Sequence, residues 1–290
     1  MLRISFEFFP PRDEAALQRL SRVRDRLDAA APEFYSVTYG AGGSTRDRTE
    51  ELVLAIQSEG RTVAPHLSIG ADDHDTIRAL LDRYQQAGID RIVALRGDIP
   101  SGMGARTQVH YARELVELIR QHSGDHFKVH VAAYPEVHPD ARDPEADLRY
   151  FMEKVAAGAD EAITQYFYNA DAYFDFVLRC EDAGIDIPIV PGVMPITNYA
   201  NLVRFSDNCG AEIPRWIRKR MQQYQDDSAS LQAFGLDVVT DLCDRLLEGG
   251  VPGLHLYSMN QSKASLALLE RLGHPLAGDP MRRSAGPQGS

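Results

Sequence analysis

The order of the apolar segments constrains this chain more than any other feature. Eight short apolar runs, at 4–9, 35–39, 63–67, 92–95, 129–133, 162–167, 187–193 and 254–259, are each followed by a stretch of helical character. Runs that are apolar on both faces suit parallel strands buried between a core and a helical layer. Eight successive strand–helix units predict an α/β fold, a closed (β/α)8 TIM barrel, for which 290 residues is an ordinary length. In such a barrel the side chains at the C-terminal strand ends collect at one mouth. Those positions hold Glu7, Thr38, His66, Asp98, Tyr134, Gln165, Met194 and Met259, so the pattern nominates a site together with an architecture.

The connections agree with this reading. AGID at 87–90, AGAD at 157–160 and AGID at 183–186 sit between a helical stretch and the next apolar run, where glycine suits a left-handed helix cap. Leu17, Leu20, Val23 and Leu27 form a one-sided stripe over a helix at 14–29, and Pro144 fits the first turn of another. The seventh and eighth strands are separated by about sixty residues, an extended insertion expected to hold helices at 199–208 and 214–224 and a longer one to 248. An insertion there can cover the mouth. We expect one catalytic barrel over 1–274 and a disordered tail over 275–290, where the composition shifts to PLAGDPMRRSAGPQGS.

Composition excludes several functions. A net charge of −11 gives nothing in bulk to attract a nucleic acid, so an anionic ligand would need a local basic pocket. The basic segment at 215–220, RWIRKR, reads first as a solvated helix face. No apolar stretch reaches the ~20 residues of a membrane span, and the N-terminus lacks a signal-peptide core. Cys180, Cys209 and Cys243 are isolated and read as reduced thiols of a cytoplasmic protein. There is no GxGxxG fingerprint, P-loop, HExxH or GxSxG, so no metal site is expected and no dinucleotide fold is indicated.

Some residues at the strand ends can carry chemistry. Glu7 lies in SFEFFPPR, where Phe6, Phe8 and Phe9 would desolvate a carboxyl and raise its pKa, as a general acid requires; pairing with an arginine is the alternative. LRGD at 95–98 offers a cation at Arg96, close backbone approach at Gly97 and a two-acceptor carboxylate at Asp98. Tyr134 and His138 in AAYPEVHP, and His66 in APHLS, are either ligand contacts or structural residues. Lys154 could meet a phosphate or solvent, while Gln165 and Asn260 are carboxamides placed where burial demands specific partners.

Taken in order, SFEFFPPR, SVTYGAGGS, RDRT, APHL, IVALRGD, VAAYPEVHP, GADEAITQYF, PGVMPI and LYSMN resemble the methylenetetrahydrofolate reductases, over nearly the whole chain. The chain is similar to the short bacterial type. The resemblance implies a flavoprotein carrying FAD that reduces 5,10-methylenetetrahydrofolate to 5-methyltetrahydrofolate with NADH or NADPH and feeds methionine synthesis. It also implies site roles. Glu7 matches the general acid; Thr38, Tyr39, His66, Arg96, Gly97, Asp98, Tyr111, Ala112, Tyr134, His138, Asp147 and Lys154 fall on flavin-contacting positions. Asp98 and Gln165 match pterin-binding positions, with Phe205 and Met259 at the substrate. The chain departs from the family at Ser258, Met259, Asn260 and Gln261, where members often have Thr-Leu-Asn-Arg. A folate-binding protein without reductase activity, or a flavin barrel acting on another one-carbon carrier, are the competing readings. The sequence is compatible with a homo-oligomer and does not choose between the two nicotinamide nucleotides.

Overall fold

The computed structural model describes residues 2–39, 43–68, 73–96, 111–224 and 226–277. Gly97 and Asp98 therefore lie outside the described residues. Six parallel strands follow one another around the sheet: β1 (Ile4–Phe8), β2 (Phe34–Val37), β3 (Val63–Ser68), β4 (Arg91–Leu95), β5 (Lys128–Ala133) and β6 (Glu161–Thr164). The seventh stave is split at Pro191 into β7 (Ile189–Val190), which pairs with β6, and β8 (Gly192–Val193), which pairs with β9 (Leu254–Tyr257). β9 pairs in turn with β1, so the sheet closes through the split stave. Proline cannot donate to a ladder, which accounts for the break; its carbonyl still accepts from His255 N at 3.0 Å. Gly192 has no alternative here, because a Cβ would lie 2.1 Å from the Thr164 carbonyl and 2.6 Å from the Tyr257 ring.

The helices between the staves start and stop where the sequence signals them. Asp13 caps α1 (Glu14–Leu27), Asp73 caps α3 (His74–Gln86), and Asp143 caps α5 (Pro144–Ala156), whose first turn holds the proline. α2 (Gly43–Ser58), α4 (Ala112–Ser123) and α6 (Ala170–Asp182) complete the regular layer. Gly88, Gly158 and Gly184 adopt the left-handed conformation at the ends of their helices. The long insertion contains α7 (Tyr199–Cys209), α8 (Arg215–Gln223) and α9 (Ser228–Glu248), and α10 (Lys263–Arg271) follows β9. Among the described residues no helix is long and apolar enough to cross a membrane. The barrel runs past its expected boundary. His274 Nε2 lies 3.0 Å from the Ala30 carbonyl, Leu276 is buried, and Ala277 N donates to Ala29 O at 2.6 Å. Leu276 and Ala277, within the expected tail, thus pack on the barrel.

The strand period divides the apolar residues into two cores. Phe6 and Phe8 stack on Tyr35 in the large core between strands and helices, while Phe34, Ala64, Val93 and Ile163 fill the inside of the barrel. The N-terminal end of the barrel is closed by ions. Arg3 bonds Glu33 at 2.7 Å and Glu161 at 2.9 Å, Arg91 bonds Glu33 at 2.8 Å, and Lys128 bonds Glu161 at 2.9 Å. Burial would raise the Glu161 carboxyl, but His130, Lys128 and Arg3 outweigh it and hold it far below the usual carboxylate range. This end is a plug, and an accessible site has to lie at the opposite, C-terminal mouth.

Candidate active site

Glu7 faces into the barrel at that mouth, and the alternation that points it inward points Phe6 and Phe8 away. The wall of phenylalanines expected from the sequence therefore does not surround the carboxyl, and Phe9 is exposed. Imidazoles surround it instead. Glu7 Oε2 lies 3.3 Å from His66 Nε2 and 3.7 Å from His255 Nε2, and these are its ion-pair partners among the described residues. Burial, reinforced by the neighbouring His255 and His130, pushes His66 down to about 4, so its ring is neutral at pH 7. His255 is held from behind by Ser5, with Oγ and Nδ1 2.7 Å apart. Tyr257, the register partner of Glu7 on β9, meets the His255 ring edge-on and donates its hydroxyl to Thr164 O at 2.7 Å. Glu7, His66 and His255 do not form a metal site; among the described residues no three such side chains are arranged to hold an ion.

The backbone under Glu7 is held as firmly as its side chain. Ser258 Oγ donates to the Glu7 carbonyl at 2.6 Å. Met259 and Asn260 both have positive φ, +52° and +55°, an arrangement that suits asparagine and costs methionine about 1–2 kcal/mol. The turn brings the Asn260 carboxamide onto residue 9, accepting from Phe9 N at 2.8 Å and donating to Phe9 O at 3.0 Å. The ends of β1 and β9 are thereby clipped together. Thr38 joins the same rim, its N–H donating to Phe8 O at 2.9 Å and its carbonyl accepting from Thr49 Oγ1 at 3.0 Å. Tyr39 packs against the core beside it.

A second cluster stands at the ends of β4 and β5. Arg96 pairs with Asp140 at 2.6 Å; Asp140 N donates to His138 Nδ1 at 3.0 Å; His138 N donates to Asp147 Oδ2 at 3.1 Å. The Tyr134 ring meets His138 edge-on at 4.4 Å. Burial, then the Arg96 charge, lowers the His138 pKa. Lys154 reaches from α5 to the Ala132 carbonyl, 2.5 Å away, with Asp147 as its electrostatic partner. Desolvation brings its ammonium down to about 8. Tyr111 precedes α4, which begins at Ala112, and stacks on Tyr150 at 5.7 Å.

The remaining candidates border these clusters. Gln165 Oε1 accepts from Tyr166 N at 3.0 Å, and its side chain lines a small cavity with Tyr134, Glu136 and Cys209. Phe205 lies on α7 with the Arg204 guanidinium 5.1 Å from its ring centroid. Ser206, next to it, lies 3.0 Å from the Tyr166 hydroxyl and ties α7 to the end of β6. Met259 sits in the turn after β9. Sequence reasoning missed Ser5, His255, Tyr257, Ser258 and Asp140. The signal for the first three was available: S-x-E on β1 and H-x-Y on β9 put two polar residues on one inward face of each strand.

Comparison with known proteins identifies the family and the fold. The family model for methylenetetrahydrofolate reductase matches residues 1–273. The chain belongs to the methylenetetrahydrofolate reductase family. It is 39% identical over 273 residues to the 5,10-methylenetetrahydrofolate reductase of Escherichia coli (strain K12), covering 94% of this chain and 91% of that one. It is 40% identical to a probable methylenetetrahydrofolate reductase (NADH) of Oryza sativa subsp. japonica, covering 93% of this chain and 48% of that longer one. A solved structure described as an uncharacterized protein from Clostridium thermocellum that binds two copies of 5-methyl-5,6,7,8-tetrahydrofolic acid shares the barrel. It superposes with a TM-score of 0.65 at 16% identity over 93% of both chains. Family membership makes this chain an oxidoreductase of the methylenetetrahydrofolate reductase type.

Proposed function

We propose that the barrel mouth reduces 5,10-methylenetetrahydrofolate to 5-methyltetrahydrofolate with NADH or NADPH through bound FAD, with Glu7 as the general acid. The observation that carries this reading is Glu7 itself, an inward carboxyl between two imidazoles at the open end of a barrel whose other end is plugged by ions. The residues present fit an anionic cofactor. Lys154 is a desolvated ammonium that donates to the Ala132 carbonyl, and it stands near the cationic Arg96 and the imidazole of His138 on a chain of net charge −11. Those three residues would hold the phosphates, with Thr38, Tyr39, His66, Tyr111, Ala112, Tyr134 and Asp147 completing the contacts. FAD held there would supply the redox chemistry, relaying a hydride between the nicotinamide nucleotide and the folate one-carbon unit.

The protein's own chemistry is a proton transfer. Glu7 gives its proton to the bridge nitrogen of the substrate as the carbon–nitrogen bond breaks. The bond pair stays on that nitrogen, and the carbon remains on the other nitrogen as a reactive iminium. Gln165 and Asp98 would bind the pterin edge, Phe205 would cover the bound ring, and Met259 would pack beside it. One mouth serving both substrates implies that they bind in turn, a ping-pong cycle. We place the enzyme in the cytoplasm, supplying methylated folate for methionine synthesis. Glu7→Gln tests the assignment. The variant should bind flavin and still oxidise NAD(P)H with a quinone acceptor, while folate reduction falls by about 10²–10⁴-fold. Equal loss of both reactions would show that Glu7 is structural.

A further inference from the structure

His255 belongs to no ligand contact described so far, yet it is the buried group aimed at Glu7 from behind. Its ring is completely buried, its Nε2 has no hydrogen-bond partner, and that nitrogen is 3.7 Å from Glu7 Oε2. A buried imidazole nitrogen without a partner is costly, so the fold retains it only where another group makes use of it. Ser5 determines how. Its hydroxyl is buried and has a single side-chain partner among the described residues, His255 Nδ1 at 2.7 Å. When that hydroxyl donates, the lone pair lies on Nδ1 and the ring proton on Nε2. The N–H then points at the carboxyl. Ser5 and Glu7 are on one face of β1, and their register partners His255 and Tyr257 are on the matching face of β9. The four groups are therefore fixed by the pairing of two strands.

We infer that His255, oriented by Ser5, is a positioning residue that turns its Nε2–H toward Glu7 and stabilises the carboxylate left when Glu7 gives up its proton. The inference rests on Glu7 being the acid. The role is distinct from that of His66, which approaches the same oxygen from β3, on the other side of β1 from β9. Among the described residues the titratable groups facing Glu7 are His66 from β3 and His255 and Tyr257 from β9, with His130 of β5 felt by His66. Ser36, the register partner of Glu7 on β2, is buried and carries no charge. A 3.7 Å separation is longer than a hydrogen bond, and catalytic bonds of this kind close when the substrate seats.

The two amides that mimic the two ring nitrogens give the test. His255→Asn keeps a partner for Ser5 and loses the donor facing Glu7; His255→Gln keeps a donor near the Nε2 position. The pH dependence of folate reduction and of NAD(P)H–quinone reduction is measured for both variants, for Ser5→Ala and for Glu7→Gln, with melting temperatures recorded in parallel. In His255→Asn the ionisation that limits folate reduction should move up by about half a pH unit or more, a threefold change in the constant. Its low-pH plateau should fall by about tenfold, the effect of one lost charge-assisted bond. Quinone reduction should stay within about twofold, and His255→Gln should recover most of the loss. Ser5→Ala should give a smaller shift in the same direction. A His255→Asn profile superimposed on the wild type, or a loss shared by both reactions and by His255→Gln, would overturn the inference. Retention of folate reduction by Glu7→Gln would instead remove the acid assignment on which it rests.

Discussion

Lys154 should hold the cofactor at the expense of the protein that carries it. Its ammonium is lowered from 10.5 to about 8 by desolvation, with Asp147 as a partial compensation. At 1.36 kcal/mol per pH unit the charged form is destabilised by up to about 3 kcal/mol in the flavin-free protein. Lys154→Met keeps the apolar stem and removes the charge. It also leaves the Ala132 carbonyl without its donor, which costs about 1 kcal/mol. The net expectation is a flavin-free protein more stable by about 2 kcal/mol at pH 7, seen as a melting temperature several degrees higher. FAD affinity should fall at least tenfold, because an anion no longer meets the desolvated cation. The pH dependence fixes the sign. Below about 8 the lysine is protonated in both folded and unfolded states and the penalty is complete. Between about 8 and 10.5 the folded state releases its proton first, so wild-type stability rises with pH and the gap to the variant closes. Melting of both proteins without flavin at pH 7 and pH 10.5, with FAD titrations at low and high salt, makes the comparison. A variant that is no more stable at pH 7 and keeps its FAD affinity would show that Lys154 is an ordinary surface lysine.

Two further outcomes follow from the barrel interior. His66 is held near 4 against an ordinary 6.5, so the unfolded chain binds its proton first and stability is lost as pH falls from about 6.5 to 4, by about 3 kcal/mol from this group; a His66→Asn variant should show a shallower acid limb in chemical denaturation between those pH values, and an unchanged limb would refute the assignment. Gly192→Ala should fail to give a closed barrel or should melt at least ten degrees lower, since its methyl would lie 2.1 Å from the Thr164 carbonyl; a variant with wild-type melting would show that the split stave relaxes freely.

The architecture was legible because its signals are local. Helix caps such as Asp143 with Pro144, the glycines at 88, 158 and 184 ahead of the next strands and doubly apolar runs do not depend on distant residues. Strand ends were less legible: Thr38, Gln165 and Met259 lie just beyond β2, β6 and β9, since apolarity continues after ladder bonding stops. Of the residues nominated at the strand ends, Arg96, His138, Asp147 and Lys154 come together in one cluster. The environment of Glu7 was misread. Its sequence neighbours are phenylalanines, but its spatial neighbours come from β3 and β9, some 59 and 248 residues away. A carboxyl in a strand is surrounded by the residues across the barrel, and only strand register reveals them. His255 was overlooked for that reason, as was Ser258, whose hydroxyl holds the Glu7 carbonyl. The ion plug of Arg3, Glu33, Arg91, Lys128 and Glu161 was invisible for the same reason, each member opening or preceding a different strand.

Anaerobic spectroscopy of the purified protein tests the central claim most directly. The protein should carry or take up FAD and show a flavin absorption band. NADH or NADPH should bleach that band, and after removal of the nucleotide, 5,10-methylenetetrahydrofolate alone should restore it with formation of one equivalent of 5-methyltetrahydrofolate. A protein that takes up no flavin, or whose reduced flavin is not reoxidised by the folate, would contradict the account.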